Sequence, residues 1–154
     1  MPKTIDDATA FVAEFCAKYR RPEFGVLTPS DLYDLHPEVE PRPKVSPLSQ
    51  WPHSWPGSGP PGVYILLNER QEVIYVGKAS MGNVLGKRLG AYFQYEPGTP
   101  RCRAVHRWDS VGGEPRFVVT VPVRGDMSFE AAALEEFLIG RLDPPGNTLG
   151  RGSR

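Results

Sequence analysis

Proline placement constrains this chain more than any other feature. Ten of its seventeen prolines lie between Pro22 and Pro61. Proline has no amide hydrogen to donate and its ring clashes with the preceding turn. Neither a long helix nor a central strand survives such spacing. The 154 residues therefore read as a short helical head and proline-rich connector over 1–57, a body over 58–150, and a tail over 151–154. A chain of this length suits one compact domain with an extension. Its 40% hydrophobic content is ordinary for a folded protein. No stretch approaches the ~20 apolar residues of a membrane span. The start, MPKTIDDATAF, lacks the basic-then-apolar pattern of a signal peptide. Cys16 and Cys102 cannot by themselves build a disulfide framework or a four-ligand zinc site. The expected compartment is the reducing cytoplasm.

In the head, Thr4 can cap a helix with Asp6 and Asp7 in its first turn. Phe11, Phe15 and Tyr19, with Ala8 and Val12 beside them, form one apolar stripe. That helix should stop before Pro22. A second short helix is expected after Pro29, from Ser30 to about His36. Trp51 and Trp55 are expected to pin the connector onto the body. The body opens with two branched and aromatic runs, Val63 to Leu67 and Val73 to Val76, around the polar stretch Asn68 to Glu72. This is a hairpin signal. The glycine-containing GKASMGN leads to a short helix from Val84 to Phe93, with Leu85, Leu89 and Phe93 at helical spacing. A loop with Pro97, Gly98 and Pro100 follows. Arg116 to Val123 reads as a third strand, and Pro122 marks it as an edge strand or as its end. A last helix runs from Phe129 to Leu142 and stops at Asp143-Pro144-Pro145-Gly146. The tail is expected to fray.

Two helices carry polar residues where apolar ones are expected. On a wheel of about 100° per residue with Leu134 at zero, Leu138, Ala131, Leu142 and Ile139 fall between about 40° and 140°. Glu135, at about 100°, lies inside that arc, whereas Glu136, at about 200°, lies outside it. Burying an unpaired charge costs several kcal/mol, so Glu135 needs a metal, a basic partner or a proton. A buried ion pair with an arginine is the plainer alternative. On the shorter helix Arg88 and Tyr92 share one flank of the buried side, and Lys87 points away. The glycine-containing loop before them leaves backbone amides open to phosphate. The chain's charge balances, with eighteen Lys and Arg against eighteen Asp and Glu. That excludes a surface that is cationic throughout. The balance conceals a patch, however. Lys78, Lys87, Arg88, Arg101, Arg103 and Arg107 face one acid, Glu96, between residues 78 and 107. Such a patch can track phosphates. Residues 1–40 are the reverse, with eight acids and four bases.

In order along the chain stand Gly62-Val63-Tyr64, Tyr75-Val76-Gly77 at hairpin spacing, LGKRLGAYF with Arg88 and Tyr92, ALEEFLIGRLDPPGN with Glu135, and Asn147 after the Pro-Pro-Gly stop. The sequence resembles the GIY-YIG nuclease family on these residues. The motifs look most like those of the N-terminal nuclease domain of the bacterial excision-repair incision subunit. The resemblance covers about residues 60–150. It departs in Val for Ile in both tripeptides, in Tyr92 where some members carry His, and in a slightly longer loop around Met81–Asn83. It implies an α+β fold, a small antiparallel three-stranded sheet flanked by helices, with the helical and proline-rich extension in front. It also implies hydrolysis of DNA phosphodiester bonds, with RNA as the second substrate class, in repair, restriction or a related role.

The implied site consists of Tyr64, Tyr75, Arg88, Tyr92 and Glu135. Glu135 would be the ligand of one Mg²⁺ or Mn²⁺, a hard cation that keeps several waters and can manage with one protein carboxylate. Arg88 would stabilise the transition state with a planar fork suited to phosphate oxygens. Water would attack, activated by a tyrosine. Tyr64 and Tyr75 compete for that role, with Tyr64 preferred. A phenol with its ordinary pKa of ~10 is a poor base, so Lys78 or a metal-bound water network is expected to lower it. Whether the two phenols share a face depends on hairpin register. Pairing Leu67 with Glu72 puts them together, and a one-residue slip separates them. Tyr92 would position water or phosphate. Substrate contacts fall to Gly77, Lys78, Lys87, Arg101, Arg103 and Asn147, Gly77 by letting the backbone come close and Asn147 by tying the glutamate helix to the site. Of the histidines His36, His53 and His106, the last could pair with Cys102 on a metal but lacks two further ligands.

Two other readings compete. One is a nucleic-acid-binding module that keeps the fold without cutting. The other is a covalent tyrosine transferase, which would normally show a histidine cluster or several arginines around the tyrosine. The acidic head is expected to pack on the body or to meet a protein partner.

Overall fold

The computed structural model describes residues 1–40, 42, 49–106, 108 and 112–147. Helix α1 (Ile5–Tyr19) starts where Thr4 and Asp7 meet, with the Thr4 amide donating to Asp7 Oδ2 at 2.8 Å. That bond satisfies one of the amides a helix start leaves open. Its buried residues are Ala8, Val12, Phe15 and Cys16. Tyr19, expected in the stripe, is exposed. The buried side takes in Cys16 instead, whose Sγ accepts from the Leu27 amide at 3.3 Å.

The connector holds a strand, β1 (Tyr33–Asp34), where a helix over Ser30–His36 was expected. The reason is tertiary. Asp34 is wholly buried and accepts from Arg116 Nε at 2.9 Å, and the Leu35 amide donates to the Arg116 carbonyl. A helix would move both groups out of reach. Strands β2 (Gly62–Leu67) and β3 (Val73–Ala79) form the expected hairpin. Helix α2 (Leu85–Tyr92) runs into strand β4 (Phe93–Tyr95), which pairs with β5 (Cys102–Ala104) as a separate two-stranded ribbon. Strand β6 (Phe117–Pro122) and helix α3 (Phe129–Leu142) complete the chain.

The main sheet has four strands in the order β1-β6-β2-β3, all antiparallel, rather than the three expected. The added strand comes from the connector. Pro122 closes a central strand, so it marks an end and not an edge. Arg107 and the tail lie outside the described residues. No helix among the described residues is long and apolar enough to cross a membrane.

Alternation along β2 divides the core into two layers. Val63, Ile65 and Leu67 face α1 and α3, with Val119, Val121, Leu134 and Leu138. Tyr64 and Leu66 face α2 and the connector, with Tyr33, Leu85, Leu89 and Phe93. Trp51 and Trp55 pack on this second layer, Trp55 within 5.7 Å of the Phe93 ring, and so hold the connector down as expected. The acidic head packs on the body. Phe15 and Tyr19 each meet Phe137, and Arg20 pairs with Glu130 at 2.8 Å in a buried setting.

Candidate active site

The site lies where β2, β3, α2 and α3 converge at the open edge of the sheet. Leu67 pairs with Val73, not Glu72, and a bulge follows between Leu66 and Leu67. Beyond it Tyr64 pairs with Gly77 and Leu66 with Tyr75. Both phenols therefore share the α2 face, with ring centroids 6.1 Å apart. The shared face arises from the bulge rather than from the expected turn pairing, since the extra residue restores the parity that the changed register would lose.

Tyr92 completes a triangle, 5.7 Å from Tyr64 and 6.2 Å from Tyr75, with its hydroxyl 3.5 Å from that of Tyr75. Arg88, one turn earlier on α2, is exposed and stands over the Tyr92 ring at 5.4 Å. From the far side α3 brings Glu135, whose Oε2 accepts from Lys78 Nζ at 2.7 Å. Glu136 is exposed, as expected.

Gly77 has a different use from the one expected. A Cβ there would lie 2.3 Å from the Tyr64 ring and hydroxyl. The space a bare backbone would offer to substrate is filled by Tyr64. Asn147 likewise works indirectly. Its Oδ1 accepts from the Val76 amide at 2.8 Å and its Nδ2 donates to the Val76 carbonyl at 2.7 Å. The buried carboxamide is thereby committed to the backbone between Tyr75 and Gly77. Lys87, Arg101 and Arg103 are exposed.

The electrostatics run against an easily ionised phenol. Burial pushes Tyr64 well above the ordinary tyrosine range, and the neighbouring Tyr92 and Tyr75 add to it. Tyr75 is also raised, first by burial, then by Tyr92, with a smaller push from the Glu135 charge. Lys78 was expected to lower one of them, but its ammonium is engaged by Glu135. The two tyrosines differ in access. Tyr64 is wholly buried and its hydroxyl has no hydrogen bond of good geometry among the described residues, although Arg88 and Tyr92 are close enough to affect its titration. Tyr75 is partly exposed and lies within the field of Glu135. Arg88 is held in its charged form above all by its proximity to the Tyr64 hydroxyl.

Glu135 is the residue to test for a cation. Its side chain is 18% exposed and the paired Lys78 is 37% exposed, so the carboxylate opens to solvent. A hard divalent ion that keeps waters fits such a half-open carboxylate, in competition with the Lys78 ammonium that now holds it. A closed zinc centre does not fit. The described residues hold no group of three or more His, Cys, Asp or Glu placed to hold a metal ion together, and burial pushes the Cys102 thiol up to about 12.

Three residues take places in the structure that the sequence reading did not assign. The His106 ring meets the Tyr92 ring edge-on at 5.1 Å, and Trp108 meets Tyr75 at 5.5 Å. No spacing rule ties either to the motifs, and the ribbon brings them back. The third is Glu130, the most buried carboxylate of α3. It stands one turn before Leu134, at about −40° on the same wheel, and that signal was present in the sequence. Its partner Arg20 makes it structural.

No curated protein is significantly similar to the chain. The family model for the UvrC-like GIY-YIG domain matches residues 60–148. That stretch holds every strand and helix of the site, and the chain belongs to the GIY-YIG nuclease family.

Proposed function

We propose that the protein is a divalent-metal-dependent endonuclease that hydrolyses DNA phosphodiester bonds. The observation that carries this reading is the convergence of Arg88, three clustered phenols and a half-open Glu135–Lys78 pair at one sheet edge. A magnesium-type ion held by Glu135 would polarise the phosphate and stabilise the leaving 3′ oxygen.

The chain's own residues supply the rest. Arg88 is exposed yet fixed over Tyr92, so its fork can meet the phosphate and stabilise charge that grows in the transition state. Tyr75 takes the water proton in this reading, in place of Tyr64. Proton transfer from water needs access, which burial denies to Tyr64. The high Tyr75 pKa must fall first. Neutralising Glu135 removes one of the forces that raise it. Tyr92, at 3.5 Å from the Tyr75 hydroxyl, positions that proton's path. Tyr64 braces Arg88 from below.

Plasmid nicking with Mg²⁺ by the wild type and by Glu135→Ala tests the proposal. Cutting by the wild type alone supports it. DNA binding without cutting by either protein favours the binding-module reading. A trapped protein–DNA adduct would point to covalent transfer. A panel of duplex, flap, branched and single-stranded substrates then assigns the substrate class.

A further inference from the structure

We propose that the β4–β5 ribbon is a sequence-reading element, with Gln94 and Arg103 addressing base edges in the major groove of duplex DNA next to the cleavage site. The inference rests on the nuclease reading for its substrate but on different residues for its argument. Gln94 and Arg103 are directly paired across the ribbon, and both are exposed. The flanking pairs point the other way. Phe93 opposite Ala104 and Tyr95 opposite Cys102 turn toward the connector, with Phe93 and Cys102 buried. The outer face of the ribbon is thus one glutamine beside one arginine.

That pair suits bases better than phosphates. A neutral amide adds nothing to phosphate attraction, but glutamine matches adenine N6 and N7, as arginine matches guanine O6 and N7. Cross-strand Cβ atoms stand about 5 Å apart, which spans neighbouring base pairs at ~3.4 Å rise. The major groove admits a two-stranded ribbon, whereas the deep, narrow groove of duplex RNA does not. Arg101 at the ribbon turn and Lys87 on α2 are exposed and form no ion pair among the described residues. They would hold the flanking phosphates.

The ribbon is stiff enough for this task. Three paired residues a side would be marginal alone, but the connector props it. Trp51 Nε1 donates to the Pro100 carbonyl at 3.3 Å, and the Trp51 ring meets Tyr95 at 4.9 Å. At the other end the Val105 amide donates to the Tyr92 carbonyl at 2.8 Å. Arg88 and Tyr92 sit on the helix that feeds directly into β4. A base held by the ribbon therefore lies at a fixed offset from the scissile phosphate. The reading also gives the proline-rich connector a task that the catalytic motifs do not.

The test uses the full chain carrying Glu135→Gln, incubated without turnover with a pool of randomised duplexes, and sequencing of what is retained. A short motif with a G·C pair next to an A·T pair should be enriched. In the same background, Gln94→Ala with Arg103→Ala should lose the motif, with preference falling roughly tenfold or more at each position. Lys87→Ala should weaken retention evenly across sequences and keep the motif. Thermal melting of each variant checks that the fold survives. A pool without enrichment, or a motif that outlasts the double substitution, overturns the proposal. Wild-type cleavage of the same pool with Mg²⁺ reports separately. Cutting without preference leaves the nuclease reading standing and removes the ribbon's role, whereas a motif without cutting does the reverse.

Discussion

The two layers of the core differ in how they treat polar groups. On the α1 and α3 side the packing is mainly aliphatic and the buried charges have partners, although Glu130 Oε1 is left without a bond among the described residues. Glu130 has Arg20, and near the sheet's other edge Asp34 has Arg116. On the α2 side the packing is aromatic and the polar atoms are left wanting. The Tyr64 hydroxyl and Trp108 Nε1 are both buried without a partner among the described residues, and burial holds three phenols, Tyr33, Tyr64 and Tyr75, away from ionisation. A buried polar atom without a bond is costly. One layer secures the fold, and the other keeps unsatisfied groups near the place where a phosphate would sit.

The largest expected effect breaks the secure layer. Arg20→Ala strands Glu130 inside and should cost about 3–5 kcal/mol in urea denaturation, while the fraction that stays folded keeps its cleavage rate. Next comes the reactive layer. Glu135→Gln should cut Mg²⁺-dependent nicking by about 10²–10³-fold. It should shift stability by about 1 kcal/mol or less, because the Lys78 pair is partly exposed. Unchanged nicking would refute the role given to Glu135. Asn147→Ala should fall between these in character, costing about 1–3 kcal/mol by leaving the Val76 backbone unpaired, and it should lower the cleavage rate more than it raises KM. The smallest effect is the most diagnostic. Tyr64→Phe removes a buried hydroxyl without a bond and should leave stability unchanged or raise it by up to about 1 kcal/mol; a loss beyond that would show that the hydroxyl is bonded after all. Wild-type stability should be full below pH ~10 and decline above it. There the unfolded phenols release protons that buried Tyr33, Tyr64 and Tyr75 retain, and stability falls wherever the folded state binds more protons. Tyr64→Phe should flatten that decline, as denaturation midpoints between pH 9 and 11 would show.

Local pattern carried most of the fold. The hairpin, α2 and α3 follow from alternation, helical spacing and stop signals that act within a few residues. The failures share one cause. Ser30 to His36 reads as helical because the reason for β1 lies about eighty positions away, in Arg116. The β4–β5 ribbon is short and its strands are held by Trp51 and Trp55, which no local window contains. The neighbourhood was legible by residue type and order: Tyr64, Tyr75, Arg88 and Tyr92 lie together, with Glu135 close enough to act on Tyr75. Their electrical state was not. Sequence spacing could not show that Lys78 would be taken by Glu135, that Tyr64 would fill the space above Gly77, or that Asn147 would serve the backbone.

That last residue has a consequence for the molecule in a crowded solution. β3 is the outermost strand of the sheet, and an uncovered outer strand invites a stranger's backbone to add on. The Asn147 carboxamide stands in for the missing neighbour at Val76, and the Gly146 amide donates to the Ile74 carbonyl just before it. Gly146 and Asn147 thus act as a seal against edge-to-edge aggregation, laid along the strand that carries Tyr75.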